Sequence, residues 1–287
     1  TLSGRSPFSR LIYPVPEAAG LGALEYNLVK WLRVGNCKFA FEGGALSYHW
    51  PAALALQDGS LLTAYVYSGT ATEIRAVRTP PQSAPGSEVT VTDQPDLDWS
   101  SIVNSGPALV QLPAGRILCL YITRVNSVFR MNVAASDDNG ETWTDGVLEA
   151  GGFAHTGDAL GLSVAYHQGW LTALIHTTNG AEHYASDDYG ASWTQVESTL
   201  SIRCPVVIAA PGGGVLLIYS DDTTTHLSLA QKPSPLAPWD LDAEIVLQGI
   251  STTPPNAAVD IDNDRAYIAA CVAQDGSIYV AYRSSTA

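Results

Sequence analysis

Arginine supplies most of the cationic chemistry in this sequence, because of 14 Lys plus Arg only Lys30, Lys38 and Lys232 are lysines. A guanidinium offers a planar fork of donors that grips a carboxylate at two points. Arg124, Arg203, Arg265 and Arg283 each stand at the border of an apolar run. The carboxylates Asp158, Asp221, Asp222 and Asp264 occupy the same kind of border, and so do His49 and Trp50. Converging arginines would clamp an anionic substrate, and two carboxylates across a scissile bond would supply the acid and base of glycoside hydrolysis. Trp50 or Trp99 could stack on the apolar face of a sugar ring. In Asp260-Ile261-Asp262-Asn263-Asp264 oxygen ligands alternate as in a calcium loop. Arg265 stands where an EF-hand requires Gly and Cys271 where it requires an acid, so only a calcium site of another geometry near Asp260, Asp262 and Asp264 would fit. No Cys-x-x-Cys pair or His-rich tract occurs, so no metal site is assigned.

These residues can act together only if a scaffold gathers them, and a repeat supplies the scaffold. The phrase Ser136-Asp137-Asp138-Asn139-Gly140-Glu141-Thr142-Trp143 returns as Ser186-Asp187-Asp188-Tyr189-Gly190-Ala191-Ser192-Trp193. Its mechanics are legible: the Asp (138, 188) accepts backbone amides across a tight turn, the Gly (140, 190) supplies positive φ, and the Trp (143, 193) packs beside the turn. Each copy follows a strand-like run, which predicts repeated β units. The first unit runs through Pro51 to Gln57, Ser60 to Tyr67 and Glu73 to Thr79, with Glu88 to Thr92 as an outer strand. The second uses Pro107 to Leu112, Arg116 to Thr123 and Phe129 to Ser136; the third uses Leu160 to His167, Trp170 to His176 and Ala181 to Ser186. The fourth uses Pro205 to Ala210, Val215 to Ser220 and Thr225 to Gln231, and its turn phrase has decayed to Lys232-Pro233-Ser234-Pro235-Leu236-Ala237-Pro238-Trp239. A fifth consists of Ala266 to Ala273 and Ser277 to Arg283. Its missing outer strands are expected from Tyr26 to Leu32 and Cys37 to Phe41, so that the N- and C-terminal strands pair and close the ring.

The repeated phrase resembles the Asp box of sialidase-like β-propellers, a motif shared with sortilin-type receptors and some endoglucanases. The resemblance implies an all-β propeller of four-stranded antiparallel blades over residues 1–287 as one domain. Five blades are counted, and a sixth has room only in residues 1–45 or 240–264. It further implies that Ser136, Asp138, Gly140, Trp143, Ser186, Asp188, Gly190 and Trp193 are structural turn residues. Strands alternate in direction within a blade, so loops entering first strands and loops joining second to third strands share one face. That face collects His49, Trp50, Arg124, Asp158, Arg203 and Arg265, the expected ligand-binding ring, together with Asn126, His176 and Asn179.

A sialidase of this family would carry Phe/Tyr-Arg-Ile-Pro at the first blade, its arginine clamping the substrate carboxylate. Here the phrase is Tyr48-His49-Trp50-Pro51, and a neutral histidine cannot form the bidentate fork. Ile202-Arg203-Cys204-Pro205 matches better but opens the fourth unit. If the chain is an enzyme of sialidase type, the resemblance points to Tyr282 as nucleophile, Asp158 as acid/base, and Arg203, Arg265 and Arg283 as a relocated triad. Glu182, on a third strand, is the glutamate that could face either way. The leading expectation is a non-catalytic propeller binding a glycan or glycoprotein. Such a module would serve in adhesion or receptor binding, extracellular or on a cell or virion surface, or as a subunit of a larger assembly. The alternative is a divergent sialidase or other glycoside hydrolase.

Composition bounds these readings. Across 287 residues the 28 Asp plus Glu outweigh the 14 Lys plus Arg, giving a net charge of −14. That field opposes nucleic acid and anionic membranes, and also an anionic sugar unless local arginines override it. No apolar run is long enough for a membrane helix, so membrane insertion is not expected. The chain starts at Thr1 and has Met131 as its one methionine, which suggests a processed product or part of a longer chain. Cys119 and Cys271 sit within apolar runs and are expected as buried thiols.

Overall fold

In the computed structural model the described residues are 47–68, 72–93, 106–125, 128–146, 159–210, 213–221, 227–232, 234–241, 245–246, 268–272 and 278–282. They form an all-β propeller. The first sheet orders β1 (Ser47–Ala55), β2 (Leu61–Ser68), β3 (Thr72–Thr79) and β4 (Glu88–Thr92) from inside to outside. The second contains β5 (Ala108–Gln111), β6 (Ile117–Val125), β7 (Val128–Ser136) and β8 (Thr144–Gly146). The third contains β9 (Ala159–His167), β10 (Trp170–Thr177), β11 (Gly180–Ser186) and β12 (Thr194–Leu200). The fourth contains β13 (Ile202–Ala209), β14 (Val215–Asp221), β15 (Leu227–Lys232) and the short β16 (Ile245–Val246). A two-stranded fifth sheet pairs β17 (Ile268–Val272) with β18 (Ile278–Tyr282). Every pairing is antiparallel, and contacts between sheets run β1 to β5, β5 to β9, β9 to β13 and β13 to β17. First strands therefore line the axis, and each blade leans on the next.

The middle strands are apolar on both faces because both faces are buried, each against a different blade. On β6, Ile117, Cys119 and Tyr121 pack into a cluster with Leu62, Ala64 and Val66 of the first blade. Their alternates Leu118, Leu120 and Ile122 pack with Leu171, Ala173 and Ile175 of the third. Two further clusters join the third blade to the fourth and the fourth to the fifth. The core is thus a series of seams between blades. Each turn-end tryptophan plugs the seam to the preceding blade: Trp143 toward the first, Trp193 toward the second and Trp239 toward the third.

The repeated phrase folds as its residues dictate. Ser136 Oγ donates to Asp138 Oδ1 at 2.8 Å and accepts the Gly140 amide at 2.8 Å. Asp138 Oδ1 accepts the Thr142 amide at 2.8 Å, and its other oxygen accepts the Thr142 hydroxyl. Trp143 Nε1 donates to the Gly140 carbonyl at 3.2 Å. Ser186, Asp188, Gly190, Ser192 and Trp193 repeat the same bonds. Asn139 and Tyr189 take φ of 61° and 60°, and both glycines take 88°. Gly140 is required twice over, since a Cβ there would lie 2.8 Å from Leu62 Cδ1 on the first blade.

The structure corrects three expectations. Cys271 is exposed: alternation turns Ile268 and Ala270 toward the fourth blade and Cys271 to the opposite side. His176 is a buried strand residue of β10, paired with Gly161 and Ala181, and does not stand on a loop. Ile245–Val246 completes the fourth blade by pairing with β15, so that part of the 240–264 stretch belongs to it. The expected N-terminal strands, 26–32 and 37–41, lie outside the described residues, and with them the closure of the ring.

Candidate functional site

Antiparallel order fixes which side chains share an end of the propeller. The starts of β1, β5, β9, β13 and β17 and the ends of β2, β6, β10, β14 and β18 lie at one end, here the ring end. The turns Asp58-Gly59 and Ala114-Gly115 and the two aspartate turns lie at the other, the turn end. His49 and Trp50 stand at the ring end of β1, Arg124 at that of β6 and Arg203 at that of β13. Asp158 directly precedes β9 but lies outside the described residues, as do Arg265, Arg283, Asp222 and the Asp260 to Asp264 stretch.

The register connects two of these residues. In β1 the pairing jumps from His49 with Val66 to Ala52 with Ala64, so Trp50 and Pro51 together face Tyr65. In β13 it jumps from Arg203 with Ser220 to Val206 with Ile218, so Cys204 and Pro205 together face Tyr219. Both are bulges with proline on the inserted pair, where a missing N–H costs no ladder bond. Cys204 takes φ of 49°, the left-handed turn that the bulge requires. His49 and Arg203 therefore hold the same place in the first and fourth blades, each one residue before a bulge at the ring end. Arg203 is half-buried there.

The same register places Tyr282. Tyr65, Tyr121 and Tyr219 each stand four residues into the second-strand register of their blades and are at most 2% exposed. Tyr282 holds the corresponding register position on β18, opposite Ile268. The position is a recurrent tyrosine site of the repeat. Glu182 is buried on β11 and accepts the Tyr184 hydroxyl at 2.6 Å, while Gln195 Nε2 donates to that hydroxyl oxygen at 3.0 Å. Burial, and then Glu182, push the Tyr184 phenol far above its ordinary range, so it stays a neutral donor. The pair sits on the third strand of its blade, away from the axis.

Among the described residues, the most concentrated buried charge is one that motif reading passed over. Lys232, 1% exposed, stands where Ser136 and Ser186 stand, opposite the start of its second strand (Val215, Ile117 and Leu171 respectively, Leu171 being the second residue of β10). Its Nζ is 2.7 Å from His183 Nε2, 2.9 Å from the Pro235 carbonyl and 3.3 Å from the Ala237 carbonyl. It also lies 4.5 Å over the Trp239 ring. His183 Nδ1 is 3.0 Å from Glu197 Oε2, and Glu197 accepts the Trp239 amide at 3.2 Å. The inversion has a chemical cause. In the intact turns a carboxylate collects N–H donors, whereas prolines 233, 235 and 238 remove donors here and leave carbonyls, which call for an ammonium. Burial holds Lys232 down to about 7, with Glu197 opposing, and burial is also the main cause that lowers His183. The visible signal in the sequence was a lysine in register with two serines.

No family model and no curated protein matches this chain. Solved structures do. A protein of unknown function from Dyadobacter fermentans superposes with a TM-score of 0.53 at 13% identity, over 83% of this chain and 75% of that one. A Hadza microbial sialidase superposes with a TM-score of 0.51 at 13% identity, over 69% of this chain and 45% of that one. This chain thus matches under half the sialidase's length. A glycosyl hydrolase from Bacteroides ovatus gives a TM-score of 0.48 at 15% identity, covering 84% of this chain and 85% of that one. At such identities the first two likenesses establish the propeller fold, and the third adds no argument.

Proposed function

We propose that this chain is a carbohydrate-recognising propeller of the Asp-box type whose ligand sits at the ring end of the axis. His49, Trp50, Arg124, Asp158, Arg203 and Arg265 would contact it. The observation that carries the reading is the equivalence of His49 and Arg203. Two blades carry a polar residue at the same bulged register position beside the axis, and one of them is an arginine, whose guanidinium suits carboxylate or vicinal hydroxyl groups. Propeller ligands sit where such positions converge, and an aromatic at the adjacent residue, Trp50, suits a sugar face. Binding without turnover is favoured because the first blade offers His49 where a carboxylate-clamping arginine would stand, and because the net charge of −14 works against an anionic substrate. An extracellular or surface role in adhesion or receptor binding is consistent with this chemistry.

The second reading, a glycoside hydrolase, is favoured by the likeness of fold to the Hadza microbial sialidase. Its catalytic set would be Asp158, Tyr282, Arg203, Arg265 and Arg283. Incubation with fluorogenic glycosides, sialosides included, followed by a glycan array separates the two. Retention of a glycan without release of fluorophore supports the first. Release that is lost in Arg203→Ala or Arg283→Ala supports the second. Silence in both assays removes carbohydrate from the account.

A further inference from the structure

Seams between blades are closed by different chemistry at the turn end. Between the first and second blades, Gln57 donates its amide to Gln111 Oε1 at 2.8 Å and its side chain to the Leu112 carbonyl at 3.3 Å. Between the second and third, Gly190 packs near Leu118 beside Trp193. The seam between third and fourth blades is tied instead through two histidines acting as acceptors. His167, buried at the end of β9, accepts the Gly214 amide on Nε2 at 2.8 Å. His183, 0% exposed on β11, meets Lys232 of β15 through Nε2 at 2.7 Å.

The tautomers follow from the partners. Glu197 takes a proton-bearing Nδ1 of His183, which leaves Nε2 with a lone pair for Lys232, and the three N–H of the ammonium then meet His183, Pro235 and Ala237. A second proton on this pair would set two cations side by side in a buried site. Glu182 of β11 holds Tyr184, Asp240 beside Trp239 is exposed, and Arg203 is at the far end of β13. Glu197 of β12 is the carboxylate that faces the pair.

We propose that the seam between the third and fourth blades is an acid-labile latch, closed while His183 is a neutral acceptor and opened when it takes up a proton. Both depressed bases act with the same sign. Lys232 falls from 10.5 in the unfolded chain to about 7, so stability rises with pH across that interval. His183 falls below 6.5, so stability is lost as pH drops beneath 6.5. Because β13 carries Arg203 and belongs to the fourth blade, the latch controls how that strand is held against the third.

The test is amide hydrogen exchange on the whole chain between pH 7.5 and 4.5, expressed as protection factors. The Trp239 amide, which donates to Glu197, reports the latch. The Gly190 amide, bound to Ser186, is the control. The latch predicts that protection at Trp239 falls by about tenfold per pH unit for each proton taken up, while Gly190 holds. His183→Gln keeps an acceptor for Lys232 and a donor for Glu197 but binds no proton, and should flatten the Trp239 profile. The proposal is overturned if wild-type protection at Trp239 is independent of pH, if Gly190 falls in step with it, or if His183→Gln leaves the Trp239 profile unchanged. The wild-type profiles decide the matter even if a variant fails to fold.

Discussion

Gly140→Ala separates two costs that the turn geometry superimposes. Gly140 has φ of 88° and its added Cβ would lie 2.8 Å from Leu62 Cδ1, whereas Gly115 has φ of 91° and would meet nothing within 4 Å. The backbone penalty for an L-residue in this region is about 1–2 kcal/mol and applies to both. Leu62 is 0% exposed within the first seam and has no solvent to swing into, so overpacking adds about 1–3 kcal/mol at Gly140 alone. Gly115→Ala should therefore cost about 1–2 kcal/mol and Gly140→Ala about 2–5. The decisive comparison uses a Leu62→Ala background, which itself costs about 2–5 kcal/mol. There the glycine substitution should fall back to the backbone cost, roughly 1–2 kcal/mol, because the blocking methyl is gone. Urea unfolding of the four variants against wild type measures each difference. Equal costs at Gly115 and Gly140, or a Gly140→Ala cost that persists in the Leu62→Ala background, would refute the view that the aspartate turn is wedged against the preceding blade.

Gly180→Ala should cost about 3 kcal/mol or more, since its Cβ would lie 2.2 Å from the Leu200 carbonyl in a backbone at φ of 123°; a melting shift no larger than that of Gly115→Ala would argue against this closure of the β10–β11 turn. Asp138 is held down to about 2, chiefly by the Thr142 hydroxyl and amide. Its contribution is present above the unfolded value of 3.8 and is lost as pH falls toward 2, so Asp138→Asn should flatten the acid limb of the stability curve between those values; an unchanged limb counts against the turn bonds. Trp193→Ala should cost about 3 kcal/mol by emptying the seam between the second and third blades, with an unchanged urea midpoint as the contrary result.

The strands that the sequence announced were those whose both faces are buried, as in Ile117 to Thr123 and Trp170 to His176. Their apolar runs are interrupted by turns such as Asp58-Gly59, where glycine takes φ of 82°. Outer strands were harder to read, because β12 is mostly exposed and its Thr194-Gln195-Val196-Glu197 carries little alternation to see. The ring-end residues were legible as polar breaks before first strands, but the shared bulge of His49 and Arg203 was not, since it is a property of register across the sheet. Lys232 read only as the first residue of a decayed turn phrase. Its partners His183 and Glu197 come from another blade, and no local pattern links an ammonium to an imidazole 49 residues away.

The central claim is that a glycan is bound at the ring end while the aspartate turns only support the fold. Titration calorimetry with a glycan retained on the array, run on wild type, Arg203→Ala and Asp188→Ala, tests it directly. The account predicts at least a tenfold loss of affinity for Arg203→Ala, as expected for a charge-assisted hydrogen bond of about 1.5–3 kcal/mol, and wild-type affinity for folded Asp188→Ala. Unchanged binding in Arg203→Ala, with binding abolished in an Asp188→Ala protein that still melts normally, would contradict it.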